Sequence, residues 1–428
     1  MWKSDQSGTA LVKNINRRPK SLLPPPQGTP PSPDTDTEPT WGTFDNNISK
    51  FVNIAGTLYF VAHDGHNGYE LWKSGGTAAS TQLVKDIDPS FSPDNPIDRR
   101  VSILGSAGGL VYLQANDGSH GSELWVSDGT TDETRLVIDA NPGTGDAACI
   151  SPTPYQGYLY YFGLDPVSRN TAFCRTNGTT AGTVAIKQVS GSLYGLEYGL
   201  QSLGGSLYFF EESTGPDGRR FQLWKSDGSS TPGGTIALAT ISQVSDPELM
   251  GEQNGTIFFK TTTGAGFNNP GKDQIWASDG TSMGTRMIAG PGAPGGDPGL
   301  SLVDPWVILG DKYYFAASDA SHGFEPRVIS MGSAPTSVSI GTATVAENAG
   351  SNAVVGAFTT TDPDAGDTFT YSLVAGTGST DNGLFNISGN QLRANASFDF
   401  ETKSSYGIRV RTTDQNGLYL EQSFVISV

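Results

Sequence analysis

The phrase ELWKSGGT, residues 70–77, decides the fold because it returns along this chain of 428 residues. It recurs with small changes as ELWVSDGT at residues 123–130, QLWKSDGS at 222–229 and QIWASDGT at 274–281. The period is about 50 residues, which is typical of one supersecondary unit copied along a chain. The copies therefore have to be interpreted together, as repeats of one structural element.

Each repeat predicts three short strands separated by turns. In the first repeat these are residues 57–62, 69–73 and 82–87, with Gly-rich turns between them. Five repeats follow this order, and a sixth, near residues 312–327, lacks its last strand. Residues 10–15 resemble that last strand, which predicts that an N-terminal strand completes a ring. We therefore expect an all-β, six-bladed β-propeller, with seven blades as the alternative.

These repeats resemble the bacterial ELWxxDGT-repeat proteins over roughly residues 1–330, because the motif recurs at a fixed spacing. The resemblance implies a propeller that is secreted or exposed on the cell surface, and it does not fix a ligand. The third repeat departs from the motif, since Cys174 stands where Trp is expected. Residues 19–40 are rich in proline and predict an extended insertion within the propeller domain.

Three residue types of the repeats have a structural and a functional interpretation. The repeated Trp is expected to pack in the core, with a stacking platform for sugars as the alternative. A His beside an Asp recurs in one turn as His66, His120 and His322, which favours turn capping over metal binding. Cys149 and Cys174 lack metal-ligand spacing, and either a disulfide or two free thiols would fit.

The repeats stop near residue 331, and residues 335–428 predict a separate β-sandwich of about seven short alternating strands. Several acids of this domain follow an acid-x-acid pattern, which places both carboxylates on one face of an extended chain. Such carboxylates are hard oxygen ligands of the kind that Ca²⁺ requires. Ordinary Asp-rich turns are the alternative. The candidate acids are Glu347, Asp362, Asp364, Asp399, Glu401 and Asp414.

This tail also resembles a cadherin repeat of the bacterial type, through residues 346–348, 362–364, 398–401 and Asp414. The resemblance implies a seven-stranded Greek-key sandwich with two calcium half-sites at opposite poles. One half-site would comprise Asp362, Asp364 and Asp414, and the other Glu347, Asp399 and Glu401. The acidic linkers that complete cadherin sites are absent before residue 335 and after residue 428, so we expect weak calcium binding.

The composition limits the classes of partner that can be expected. The net charge is −17, with 43 acidic and 26 basic residues, which excludes a nucleic-acid backbone as the expected partner. No apolar stretch is long enough for a membrane span, and the start of the chain shows no signal peptide. Membrane association would have to come through parts of the protein beyond this sequence.

The sequence contains no zinc-binding His pair and no P-loop. We therefore expect a non-catalytic, secreted or cell-surface protein. It would bind calcium through the tail and act in adhesion, with the propeller as a platform for a cell-surface protein or polysaccharide. One alternative is a propeller enzyme acting on glycans, whose paired carboxylates could come from distant repeats. The other is a structural spacer within a larger surface protein.

Overall fold

The protein is described by a computed structural model. It describes residues 2–5, 8–12, 15, 50–64, 67–90, 101–190, 199–215, 218–253, 255–264, 271–282, 284–291, 300–309, 312–318, 323–330, 332–415 and 417–428. The chain divides into two compact units, Met1–Pro270 and Gly271–Val428. The predicted insertion at residues 19–40, together with His66 and His322, lies outside the described residues. The predicted boundary near residue 335 stays a prediction.

The first unit is built from antiparallel sheets whose strands follow one another in chain order. A two-stranded sheet, β1 (Trp2–Asp5) and β2 (Gly8–Leu11), comes first. Four sheets of four strands follow: β3 (Val52–Ile54), β4 (Thr57–His63), β5 (Tyr69–Ser74), β6 (Gln82–Lys85); β7 (Ser102–Ala107), β8 (Leu110–Asn116), β9 (Ser122–Ser127), β10 (Arg135–Ile138); β11 (Ile150–Tyr155), β12 (Tyr158–Leu164), β13 (Thr171–Thr176), β14 (Val184–Gln188); β15 (Gln201–Leu203), β16 (Ser206–Gly215), β17 (Gly218–Ser226), β18 (Thr235–Ser242). The unit ends with the paired strands β19 (Val244–Gln253) and β20 (Thr256–Thr263).

The repeated phrase forms the third strand of each sheet and the turn after it. Its Ser or Thr bonds, through the side-chain oxygen, to a Thr hydroxyl seven to nine residues later. The pairs are Ser74–Thr81 (2.7 Å), Ser127–Thr134 (2.7 Å), Thr176–Thr183 (2.7 Å), Ser226–Thr235 (2.8 Å) and, in the second unit, Ser278–Thr285 (2.6 Å). The Asp of the phrase caps the same turn: Asp128 Oδ1 accepts from the Thr130 amide at 2.8 Å and from its hydroxyl at 2.7 Å. The polar part of the phrase is therefore turn chemistry.

The glycine of the phrase lies against the preceding sheet. Gly129 has φ +91°, and a Cβ added to it would overlap the hydroxyl of Tyr59 on β4. Gly228 has φ +81° and would collide in the same way with Tyr160 on β12. Two hydrogen bonds strengthen the first contact: Lys73 Nζ donates to the Gly129 carbonyl at 2.7 Å, and Tyr59 Oη reaches the Asp128 carbonyl at 3.4 Å. These two turns therefore close over the sheet before them, where only glycine fits.

The aromatic residues of the phrase pack in the cores between sheets. Trp72 and Trp125 are buried, and Trp125 belongs to a cluster that includes Tyr59 and Leu71 of the first repeat. Trp224 is half-buried and stacks on Phe209, with ring centroids 6.4 Å apart. The packing role expected for these tryptophans is confirmed. Cys149 and Cys174 are free thiols in one apolar cluster.

The second unit begins with the hairpin β21 (Lys272–Ser278) and β22 (Arg286–Ala289) and a three-stranded sheet of β23 (Ser301–Leu309), β24 (Lys312–Ser318) and β25 (Glu325–Ser330). Seven further strands form sheets of four and three. The four-stranded sheet contains β26 (Ser337–Ile340), β27 (Val354–Thr361), β30 (Gln391–Ala394) and β29 (Phe385–Ser388), in that order. The three-stranded sheet contains β28 (Thr370–Leu373), β31 (Ser405–Thr413) and β32 (Tyr419–Ser427).

The two sheets of the tail share one core, because Phe358 and Leu392 of the first cluster with Ile408, Val410 and Ile426 of the second. Among the described residues, the one helix is a short 3₁₀ turn, Asn382–Leu384. Over the part of the chain that the structure describes, no helix is long and apolar enough to cross a membrane. The all-β prediction is therefore confirmed, as repeated antiparallel sheets followed by two sheets on a common core.

The structure differs from the prediction in one strand per repeat. Each four-stranded sheet of the repeats begins with a strand that the sequence did not indicate, such as β7 or β11. The pairing of β7 with β8 shifts register between Ile103 and Gly105, and that of β11 with β12 shifts between Ile150 and Thr153. Bulges of this kind break the alternation by which strands are recognised.

Candidate metal centre

The first acidic group of the tail lies in the loop after β27. Asp362, Asp364 and Asp367 each offer a carboxylate oxygen, and these oxygens all lie within 4.8 Å of one another. The loop holds them together because Asp362 Oδ1 accepts from the Asp364 amide at 2.9 Å. Asp364 in turn accepts a hydrogen bond from the Ser333 amide. We call this set the first acidic group.

Electrostatics within the first acidic group oppose its full ionisation. Partial withdrawal from water, followed by the charges of Asp362 and Asp364, raises the pKa of Asp367. In the described residues, Asp362 Oδ2 and Asp367 Oδ2 are buried atoms that lack a hydrogen-bond partner. Three close carboxylates with such oxygens form an arrangement that a cation would stabilise.

Asp414, predicted for the same half-site, does not belong to this group of three. Its Oδ1 accepts from the Leu418 amide at 2.8 Å, which fixes the turn after β31, and its side chain is 5% exposed. The positive charge of Arg286, which belongs to the same compact unit, acts on Asp414. A Cβ added to Gly417 in this turn would overlap the Arg286 guanidinium. Asp414 is thus a turn residue with a cation of the protein beside it.

The second acidic group comprises Glu347, Asp399 and Glu401, as the sequence predicted for the other pole. Their carboxylate oxygens lie within 4.8 Å of one another, and all three residues are exposed. Asp399 Oδ1 accepts from the Glu401 amide at 3.0 Å, and its Oδ2 accepts from the Thr402 hydroxyl at 2.8 Å. The Thr402 hydrogen bond is the main reason why the pKa of Asp399 lies below its ordinary value.

A backbone contact places Glu347 beside the other two acids of the second group. The neighbouring Asn348 amide donates to the Phe398 carbonyl at 2.9 Å, which ties the Glu347 loop to the segment that carries Asp399. Asn348 adopts φ +59°, a left-handed conformation that Asn tolerates better than most residues. The loop therefore bends so that two segments distant in sequence present acids together.

The two acidic groups lie at opposite ends of β27. The first follows Thr361 at the end of that strand, whereas the second adjoins the end at which Val354 pairs with Arg393. Eight residues of extended chain span roughly 25 Å. This arrangement agrees with the predicted separation into two poles.

The donor set suits a hard cation. Ca²⁺ binds oxygen ligands at about 2.3–2.6 Å, so two ligands of one ion lie no more than about 5 Å apart, which both groups satisfy. Sequence reasoning assigned five of these six acids and missed Asp367. The signal for it was present, because Asp367 closes the same acidic turn as Asp362 and Asp364.

The His and Asp residues of the repeats behave as turn caps where the structure describes them. Asp117 Oδ1 accepts from the amides of Ser119 and His120 at 2.8 and 3.0 Å, and His120 Nδ1 lies 2.8 Å from Asp117 Oδ2. The hydrogen bond between the two side chains raises the pKa of His120. This local arrangement agrees with the predicted capping role.

Comparison of this chain with known proteins finds only limited similarity. No protein-family model matches the chain, and no curated protein matches it. Among solved structures, prolyl oligopeptidase B from Galerina marginata aligns over 88% of this chain and 55% of its own, at 12% identity and a TM-score of 0.36. Oligopeptidase B from Leishmania major aligns over 88% and 53%, at 9% identity and a TM-score of 0.39. The chain thus spans about half the length of these peptidases, and at such scores the likeness carries no argument about activity.

Proposed function

We propose that this protein is a non-catalytic, secreted or cell-surface protein whose tail binds calcium. The observation that carries the proposal is the pair of three-carboxylate groups at opposite ends of one two-sheet domain. Each group offers hard oxygen donors at a spacing that one Ca²⁺ can bridge. The resemblance of the tail to a cadherin repeat supports the same ion.

The proposed mechanism is the rigidification of both ends of the tail. Each acidic group is assembled from exposed or half-buried loops whose carboxylates repel one another without a cation. A bound Ca²⁺ offsets this repulsion and fixes the loops, so that a partner meets an ordered surface. Binding is weak, because three carboxylates supply fewer ligands than the six to eight oxygens that Ca²⁺ prefers.

The repeats are proposed to form a six-bladed β-propeller that serves as the binding platform. Successive four-stranded antiparallel sheets support this proposal, as do the turns that close over the preceding sheet at Gly129 and Gly228. The proposed partner is a cell-surface protein or polysaccharide, and the proposed role is adhesion. The sequence contains neither a zinc-binding His pair nor a P-loop, which supports a non-catalytic role.

Calcium titration of the full chain tests the proposal. We expect weak saturable binding, measured by calorimetry, and a raised unfolding temperature in calcium. A site with a dissociation constant near 1 mM adds about 1.4 kcal/mol of stability at about 10 mM calcium. The double variants Asp362→Asn/Asp364→Asn and Asp399→Asn/Glu401→Gln should each remove one pole's contribution.

A charge-matched control separates specific binding from general charge. Asp132→Asn/Glu133→Gln also removes two neighbouring negative charges, at exposed positions of a repeat turn. This variant should bind calcium as the parent protein does. Equal losses in the control and in the tail variants, or no calcium binding by the parent protein, would contradict the proposal.

A further inference from the structure

An arginine of the fifth repeat lies where that repeat meets the tail. Arg286 is the first residue of β22, and it pairs with Ala277 of the repeated phrase. Arg135 occupies the same position in the second repeat, where it pairs with Val126. The side chain of Arg135 is 40% exposed and lies 3.5 Å from Glu133 of its own turn. The repeat pattern therefore supplies the arginine, whereas the neighbour that Arg286 meets comes from the tail.

The tail turn beside Arg286 is built around Asp414. The Asp414 amide donates to the Leu418 carbonyl at 2.9 Å, and Asp414 Oδ1 accepts from the Leu418 amide at 2.8 Å. The Gly417 amide donates to the Asp414 carbonyl at 3.2 Å, and Gly417 has φ +80°. A Cβ added to Gly417 would lie 2.6 Å from Arg286 Cζ, so the guanidinium packs directly against this glycine. The close approach therefore requires glycine on the tail side.

The charges at this contact are complementary. Asp414 is only 5% exposed, and a carboxylate at that depth requires a nearby cation or strong hydrogen bonds. Burial lowers the pKa of Arg286, and the charges of Asp414 and then Asp279 act in the opposite direction. An arginine keeps its charge in proteins even when its surroundings are partly dry. The guanidinium therefore supplies a permanent positive charge between the fifth repeat and the tail.

The same turn also borders the first acidic group. Gln415 Nε2 donates to Asp367 Oδ1 at 2.8 Å, and Gln415 Oε1 accepts from the Thr368 hydroxyl at 3.3 Å. Ser333, in the segment that connects β25 to β26, donates its amide to Asp364. These contacts join protein groups directly, as the guanidinium contact does. The turn is thus held on both sides by groups that the chain itself provides.

We propose that Arg286 is a built-in cation that holds the tail on the fifth repeat without calcium. It lies against Gly417 and beside Asp414, the acid that the sequence assigned to a calcium half-site. An arginine cannot dissociate as an ion does, so this contact keeps its geometry at any calcium concentration. Calcium at the two acidic groups would then order their loops without determining how the tail docks. The inference goes beyond the proposed function and requires neither acidic group to bind an ion.

Hydrogen–deuterium exchange of the full chain, followed by mass spectrometry, tests this inference. Peptides covering residues 414–418 are compared in calcium and in excess EDTA. We expect the parent protein to protect these amides equally in both conditions. Arg286→Gln should speed their exchange in EDTA about tenfold, because the turn loses the charge that holds it closed. Peptides from the shared core of the tail, such as those containing Ile408, should stay protected over the same exchange time, which verifies that the tail is folded.

Arg135→Gln is the matched control, since it makes the same change at the same position of the second repeat. It should leave the exchange of residues 414–418 unchanged, because Arg135 pairs with Glu133 of its own repeat. Asp414→Asn tests the contact from the tail side and carries the test if Arg286→Gln also loosens the core. Its amide oxygen can still accept from Leu418, whereas the negative charge is lost. Added to Arg286→Gln, it should increase exchange little further, since both variants remove one interaction.

Three outcomes would overturn the inference. The first is faster exchange of residues 414–418 when the parent protein is moved from calcium to EDTA, which would show that calcium holds this contact. The second is unchanged exchange in both Arg286→Gln and Asp414→Asn. The third is an equal effect of Arg135→Gln. Failure of the calcium proposal looks different, because the parent protein would then bind no calcium while Arg286→Gln still speeds exchange.

Discussion

Gly129→Ala tests whether the turn of the repeated phrase locks onto the preceding sheet. The alanine Cβ would overlap Tyr59 Oη, and it would lie 3.0 Å from Tyr59 Cε1 and Cζ. Alanine at φ +91° costs about 1–2 kcal/mol, and overpacking adds about 1–3 kcal/mol. We expect the free energy of unfolding to fall by about 2–5 kcal/mol.

Gly76→Ala is the matched control for this experiment. Gly76 occupies the same position in the first repeat, has φ +84° and donates its amide to Ser74 Oγ at 3.1 Å, as Gly129 does to Ser127 Oγ at 2.9 Å. Among the described atoms, nothing lies within 4 Å of its added Cβ. Only the conformational part, about 1–2 kcal/mol, should therefore be lost.

Urea unfolding followed by tryptophan fluorescence measures both variants. All seven tryptophans precede residue 335, so the signal reports on the repeats. With a denaturant slope near 3 kcal/mol/M, the difference of about 1–3 kcal/mol between the variants separates their midpoints by about 0.3–1 M. Tyr59→Phe should partly rescue Gly129→Ala in a double-mutant cycle. Equal midpoints for the two alanine variants, or a cycle without coupling, would refute the locking role.

Three further outcomes are expected. Ser127→Ala removes the hydroxyl bond to Thr134 and leaves the buried Gly129 amide without its acceptor, which should lower stability by about 2 kcal/mol; an unchanged urea midpoint would contradict this. Burial raises the pKa of Glu123 from 4.5 to about 7, so its contribution to stability is fully present below pH 4.5 and is lost as the pH rises through 7. Stability measured across that range should fall less steeply in Glu123→Gln, and identical profiles would argue against a buried proton. Arg286→Gln removes the cation beside the buried Asp414 carboxylate and should lower the free energy of unfolding by about 1–3 kcal/mol; an unchanged thermal unfolding midpoint would contradict a stabilising contact.

The strands with clear alternation were predictable from sequence. Residues 57–62 and 69–73 were predicted, and the structure gives β4 as Thr57–His63 and β5 as Tyr69–Ser74. The first strands of the sheets were not, because glycine, proline and register shifts interrupt them, as in β7 and β11. Alternation identifies a strand only where the ladder is regular.

The candidate sites were likewise predictable in part. The resemblance to a cadherin repeat grouped Glu347 with Asp399 and Glu401, and the structure brings their carboxylates together although four strands separate them in sequence. The sequence assigned Asp414 to the half-site in which the structure groups Asp367. Whether an acid faces such a group depends on the backbone amides that its own turn offers as donors, and the motif does not reveal these. Sequence also could not show that Glu70 is buried, since β5 packs on both faces and its alternation does not reveal which residues meet water.

The turn that closes over the preceding sheet gives the repeats a direction. Tyr59 of one repeat is covered by Gly129 of the next, and Tyr160 is covered by Gly228 in the same sense. The ribosome synthesises the chain from its N-terminus, so each of these tyrosines emerges before the glycine that covers it has been made. A nascent chain arrested after Tyr59 or Tyr160, and before Gly129 or Gly228, would therefore expose the tyrosine that the later glycine shields.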